Sequence, residues 1–169
     1  ETRLDKMDYS FAYNYAFLQA VIKDEDWYLF DLVESPIIHE KFYVAKADEY
    51  NEIVKQEVES GKKYKKLKAR EILRNMLIAR NETGRMYSIN VTRVNEHTSF
   101  IDVVRLSNLC QEITLPTKAY KNMQDLYAEE SEAETAFCTL SAINVGKVSF
   151  EEYEHVAEVA LRAVDKMID

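Results

Sequence analysis

With only 3 glycines and 2 prolines in 169 residues, the sequence lacks the turn punctuation that an all-β fold of short strands requires. That scarcity favours long helices. No apolar run approaches the roughly 20 residues that span a bilayer, and the opening Glu1-Thr2-Arg3-Leu4-Asp5-Lys6 lacks the apolar core of a signal peptide. Cations are in the minority: 22 Lys and Arg against 30 Asp and Glu leave a net charge of −8. A general nucleic-acid or anionic-membrane binder needs clustered cations, so both classes are disfavoured. There is no glycine-rich phosphate loop, internal repeat or flexible linker. Two cysteines make no disulfide scaffold and fit a reducing compartment, so the chain reads as cytoplasmic.

What is present is apolar and aromatic. At 47% apolar and 11% aromatic content, the chain is globular and long enough for one domain with its own core. Phe11, Tyr15, Leu18 and Ile22 recur at helical steps and predict a helix over residues 8–23. The aromatic run over residues 27–32 predicts a strand closed by Ser35-Pro36. A polar helix is expected over residues 45–60, stopping at Gly61, and a second over 63–82, stopping at Gly84. The basic run from Lys62 to Arg70 reads as the solvated face of that second helix. A strand over residues 86–91 and a polar loop carrying His97 follow. The acidic run from Glu129 to Glu134 is a loop before an apolar strand over 135–144. Ser149 and Glu152 form a capping box for a last amphipathic helix. Alternating helix and strand predict α/β layering with parallel pairing. The strands are too few to close such a sheet, so the chain reads as a slice of a larger barrel.

The chemistry is concentrated around the cysteines. Cys110 sits in Ser107-Asn108-Leu109-Cys110-Gln111-Glu112-Ile113, and Cys138 in Phe137-Cys138-Thr139-Leu140-Ser141-Ala142. A cysteine in an apolar run is ordinarily a small core residue, and on its surroundings alone Cys138 reads that way. Asn108 and Glu112 flank Cys110 at two-residue steps, so an extended segment would turn all three to one face. A thiol between an amide and a carboxylate suits a polyhydroxylated substrate: the amide orients a hydroxyl and the carboxylate takes its proton. Cys110, Cys138, His39 and His97 have no zinc-site spacing, and no CxxC redox motif is present.

Four blocks carry a family resemblance. They are Lys6-Met7-Asp8-Tyr9; Thr83-Gly84-Arg85-Met86-Tyr87 with Asn90; Ser107 to Ile113 running on to Leu115-Pro116-Thr117; and Phe137 to Ala142. In this order they resemble the large (catalytic, alpha) subunit of class I ribonucleotide reductase. The resemblance covers essentially the whole chain. It implies an α/β fold that is part of a ten-stranded α/β barrel, with a finger loop carrying the radical cysteine. Residues 1–169 would be a single unit in the central part of that barrel domain. The implied activity is reduction of ribonucleoside diphosphates to deoxyribonucleoside diphosphates by thiyl-radical chemistry. Cys110 matches the cysteine that becomes the radical, Glu112 the general base, and Asn108 the amide that binds ribose hydroxyls. Leu109 belongs to the same substrate-binding block. Cys138 matches one half of the redox-active dithiol, and its partner thiol is not in this sequence.

The resemblance implies no cofactor in this chain. A metal-containing small subunit would supply the radical, ATP and dNTP effectors would bind elsewhere in the large subunit, and thioredoxin or glutaredoxin would be the reductant. Tyr87 and Tyr120 do not fall in segments matching the radical-relay tyrosines. The expected partners are the flanking polypeptides of the same large subunit, the small subunit and a nucleotide substrate. The rival readings are a non-catalytic assembly fragment and a segment of a cobalamin-dependent reductase. Intact Asn108, Cys110, Glu112 and Cys138 argue against decay, and block order with Leu115-Pro116-Thr117 looks closer to class I.

Overall fold

In the computed structural model, which describes residues 7–168, Tyr9, Phe11 and Tyr13 alternate with Ser10 and Ala12. That two-residue period makes a strand, β1 (Tyr9–Tyr13), where helical spacing predicted the start of a helix. Asn14 then caps α1 (Tyr15–Lys23): its side chain accepts from the Phe17 N–H at 3.0 Å. Its Nδ2 donates to the Phe42 carbonyl at 3.3 Å, so a residue only 1% exposed is satisfied twice. The buried face of α1 is Ala16, Phe17 and Ala20, whereas Ile22 of the predicted stripe is 74% exposed. The opening Glu1-Thr2-Arg3-Leu4-Asp5-Lys6, with the lysine of the first family block, lies outside the described residues.

The described residues group into two units, one ending at Glu134 and one starting at Thr135. In the first, β2 (Asp26–Phe30) pairs antiparallel with β3 (Tyr64–Lys68). The basic run therefore begins as a strand and not as a helix face. Cross-strand partners explain this. Asp26 lies across from Lys68 and takes both Lys66 and Lys68 at 3.0 and 3.1 Å, and Tyr64 packs on Tyr28 and Phe30. The Lys66 and Lys68 ammonium groups hold the Asp26 carboxyl below its ordinary range.

Between these strands lie α2 (Pro36–Phe42) and α3 (Ala47–Glu59). α4 (Ala69–Thr83) follows β3 and stops at Gly84, whose φ of 65° is the left-handed cap expected there. β4 (Met86–Asn90) then pairs parallel with β1, from Tyr9 opposite Met86 to Tyr13 opposite Asn90. α5 (Val91–His97) replaces the predicted polar loop, because the Asn90 side chain accepts from the Arg93 N–H and caps it.

The core of this unit turns on Trp27, which packs against two buried groups: Ala16, Ile38, Ala45 and Tyr50 on one side, Phe17, Ala20 and Ala69 on the other. Its ring meets Phe17 edge-on at 5.2 Å and stacks on Tyr50 at 5.9 Å. Burial pushes the Tyr50 phenol well above its ordinary range.

The second unit holds the expected capping box, with the Ser149 hydroxyl donating to Glu152 at 2.8 Å, and then α6 (Tyr153–Lys166). The Ser149 hydroxyl and N–H together hold the Glu152 carboxyl below its usual range. Residues 135–144 form no strand among the described residues, contrary to the sequence expectation. A strand is stabilised by ladder partners; Phe137 and Leu140 lie in no named strand and stand 68% and 77% exposed. Among the described residues the content is thus α/β, with one parallel and one antiparallel strand pair.

Candidate functional site

The segment that carries Cys110 is anchored upstream by an amide acting as a strand partner. Asn95 on α5 accepts from the Val104 N–H and donates to the Val104 carbonyl, both at 2.9 Å, and Val104 is fully buried. The Asn95 Nδ2 also reaches the Val91 carbonyl at 2.9 Å, so the amide bridges helix and segment. Next to Val104, the Arg105 guanidinium stacks 5.1 Å from the Tyr43 ring centroid. Downstream, Lys118 pairs with Asp102 and Glu134 at 3.1 and 3.0 Å, and its backbone bridges that of Glu134.

Between these anchors the chain makes a tight turn. The Gln111 N–H donates to the Asn108 carbonyl at 3.2 Å, and the Ile113 N–H donates to Asn108 Oδ1 at 3.0 Å. Asn108 thus builds the turn with one side-chain atom and keeps its Nδ2 as a donor. Gln111 takes φ 68°, a left-handed conformation costing a non-glycine residue about 1 kcal/mol. Its Nε2 donates to the Ser10 Oγ of β1 at 2.8 Å. Asn108, Leu109, Cys110 and Glu112 are all exposed on this turn. They share one tight turn, where the sequence reading placed them along one face of an extended segment.

Cys138 belongs to the second unit, exposed, with its Sγ 3.8 Å from the Thr139 carbonyl. His39 lies on α2 with Nε2 3.4 Å from the Tyr43 hydroxyl, and His97 ends α5. Among the described residues, no three His, Cys, Asp or Glu side chains converge where a metal ion could sit. Nor is any described helix long and apolar enough to cross a membrane. Sequence reasoning missed Asn95, Ser10 and Gln111. Only Asn95, as an amide just inside a helix end, left a local signal; the other two meet across 101 positions.

The family model for the ribonucleotide reductase barrel domain matches residues 1–169. The ribonucleoside-diphosphate reductase subunit alpha of Haemophilus influenzae is 36% identical over the whole chain, and that of Buchnera aphidicola subsp. Acyrthosiphon pisum 31%. The subunit alpha of phage T4 is 28% identical, again over the whole chain. This chain spans only 22% of the length of each of these relatives. The whole of this sequence, with the exposed Cys110 turn at its centre, belongs to the ribonucleotide reductase barrel-domain family.

Proposed function

We propose that the chain is the central, radical-cysteine part of a large subunit that reduces ribonucleoside diphosphates. The observation that carries this is the exposed turn that gathers a thiol, an amide donor and a carboxylate, within a sequence matched end to end by the barrel-domain family. The names of the relatives, diphosphate reductase and subunit alpha, support the diphosphate substrate and the need for a second subunit.

In this reading the turn is the finger loop of a ten-stranded α/β barrel in the cytoplasm. Residues 1–169 are one unit of it, completed by flanking polypeptide. A metal-containing small subunit generates the radical. Cys110, as a thiyl, takes the 3′ hydrogen of the ribose and becomes a thiol. Glu112 accepts the 3′-hydroxyl proton while Asn108 Nδ2 and the Leu109 backbone region hold the ribose. The 2′-hydroxyl then leaves with one proton as water, and a hydrogen takes its place. Cys138 and a thiol from the flanking polypeptide supply the two electrons and two protons, ending as a disulfide that thioredoxin or glutaredoxin reopens. The 3′ hydrogen returns from Cys110, which regenerates the thiyl, and Glu112 gives its proton back to the 3′ oxygen, which restores the hydroxyl and the carboxylate. ATP and dNTP effectors act outside this segment.

The test is turnover in the complete large subunit with its small subunit. Cys110→Ser abolishes it while substrate still binds; retained turnover would remove the role assigned to Cys110. Glu112→Gln lowers kcat by about 10²–10⁴-fold, the usual worth of a positioned base. An unchanged kcat would remove the general-base assignment.

A further inference from the structure

We propose that Ser10 and Gln111 are positioning residues for the Cys110 thiol: the hydrogen bond between them clamps the cysteine turn to strand β1. The proposal rests on Cys110 being the reacting thiol.

Three observations carry it. The backbone and Asn108 bonds fix the shape of the turn, but they lie within the turn and do not locate it against the sheet. The other anchors of the segment, at Val104 and Lys118, lie well off the turn on either side. The contact from Gln111 Nε2 to Ser10 Oγ at 2.8 Å joins the turn itself to a strand, and that strand is held in register against β4 with Ser10 opposite Tyr87.

Gln111 also occupies the position where the clamp has most leverage. It lies between Cys110 and Glu112, so any rotation about its backbone bonds moves thiol and carboxylate relative to each other. Its φ of 68° is a conformation that glycine or asparagine adopts more readily. Neither of those side chains has the length of glutamine for reaching Ser10. A single exposed hydrogen bond contributes little to folding. Hydrogen transfer is far more demanding, since a displacement of about 1 Å can cost a hundredfold in rate. The clamp therefore acts on catalysis more than on stability.

The experiment is a double-mutant cycle in the complete large subunit with its small subunit, using Ser10→Ala, Gln111→Leu and the pair. Each single change lowers kcat about threefold to tenfold with KM unchanged, and the pair does no further harm, as loss of one shared bond requires. Ser10→Thr keeps the hydroxyl and recovers the rate lost in Ser10→Ala. The alkylation rate of Cys110, followed on its own peptide by mass spectrometry, shifts by one common factor in both singles and the pair. Losses that multiply, a change confined to KM, an unmoved alkylation rate, or Ser10→Thr no better than Ser10→Ala would each overturn the clamp. Should Cys110→Ser retain turnover, the proposed function falls. The alkylation cycle still decides the clamp in that case, so the two failures are distinguishable.

Discussion

A side-chain amide can take the place of a missing strand, and Asn95 does so here. Its carbonyl and amino groups match the N–H and C=O of Val104 as a neighbouring strand would, and its second amino hydrogen ties the pair to the start of α5. Val104 is fully buried, so both of its backbone groups need partners that water cannot supply. Asn95→Ala leaves two such groups unsatisfied, at about 1–3 kcal/mol each. The loss is local, because the β1–β4 ladder draws nothing from Asn95. Hydrogen exchange measures this directly: the Val104 amide, which donates to Asn95, exchanges at least tenfold faster in Asn95→Ala, while those of β1 and β4 keep their protection. Equal acceleration in the strands would mean that Asn95 supports the whole unit and not the cysteine segment.

At the scale of elements, α3 meets β2 in an aromatic stack, Tyr50 on Trp27, within a cluster that also holds Ile53 and Val54 of α3. The Tyr50 phenol is raised by burial, so the neutral form is the one the fold accommodates. A raised folded pKa gives stability that is whole below the unfolded value, about 10, and that is lost as pH climbs above it. Above pH 10 the stability of this chain falls by up to about 1.4 kcal/mol per pH unit from this one group. Tyr50→Phe removes that slope, and urea unfolding followed by the fluorescence of Trp27 at pH 9, 10 and 11 reads it; an unchanged slope would show that the phenol ionises without opening the stack. Which elements could be foreseen follows from how local their causes are. The glycine stop at Gly84, the Ser149–Glu152 box and the aromatic strand β2 are written in consecutive residues and were legible. β1 and α1 read as one helix in sequence because Phe11 and Tyr15 fit a helical step, and the boundary is set by Asn14 reaching Phe17 and Phe42. The basic run became β3 because of Asp26 and Tyr28 on another strand, which no window of sequence contains. The residue types of the Cys110 motif stand in consecutive sequence, whereas its turn depends on a left-handed glutamine and a distant serine.

For the molecule as a whole, the apolar surface left open in each unit sets its behaviour outside a larger assembly. The first unit carries two separate two-stranded sheets, each with both edges unpaired among the named strands. Two-stranded pairs are marginal on their own, and open edges template association. In the second unit α6 buries none of its residues, with Leu161 71% exposed. At 14 residues it is near the length at which a helix without tertiary packing is only marginally stable in water. Phe137 and Leu140 add an apolar stretch that lies in no named strand. Neither the net charge of −8 nor the capping box covers such surface, since charge repulsion acts over a Debye length of about 10 Å while edges and apolar faces meet at contact. The isolated chain is therefore expected to self-associate as its concentration rises. If the chain is the large-subunit part proposed above, mixing it with the rest of that subunit suppresses the association, because paired edges and a covered α6 remove its cause. Light scattering against concentration, with and without the rest of that subunit, decides the matter. A chain that stays monomeric when alone and melts in one cooperative step would mean that these open faces are stable in water, and that the assembly is not needed to hold the Cys110 turn in place.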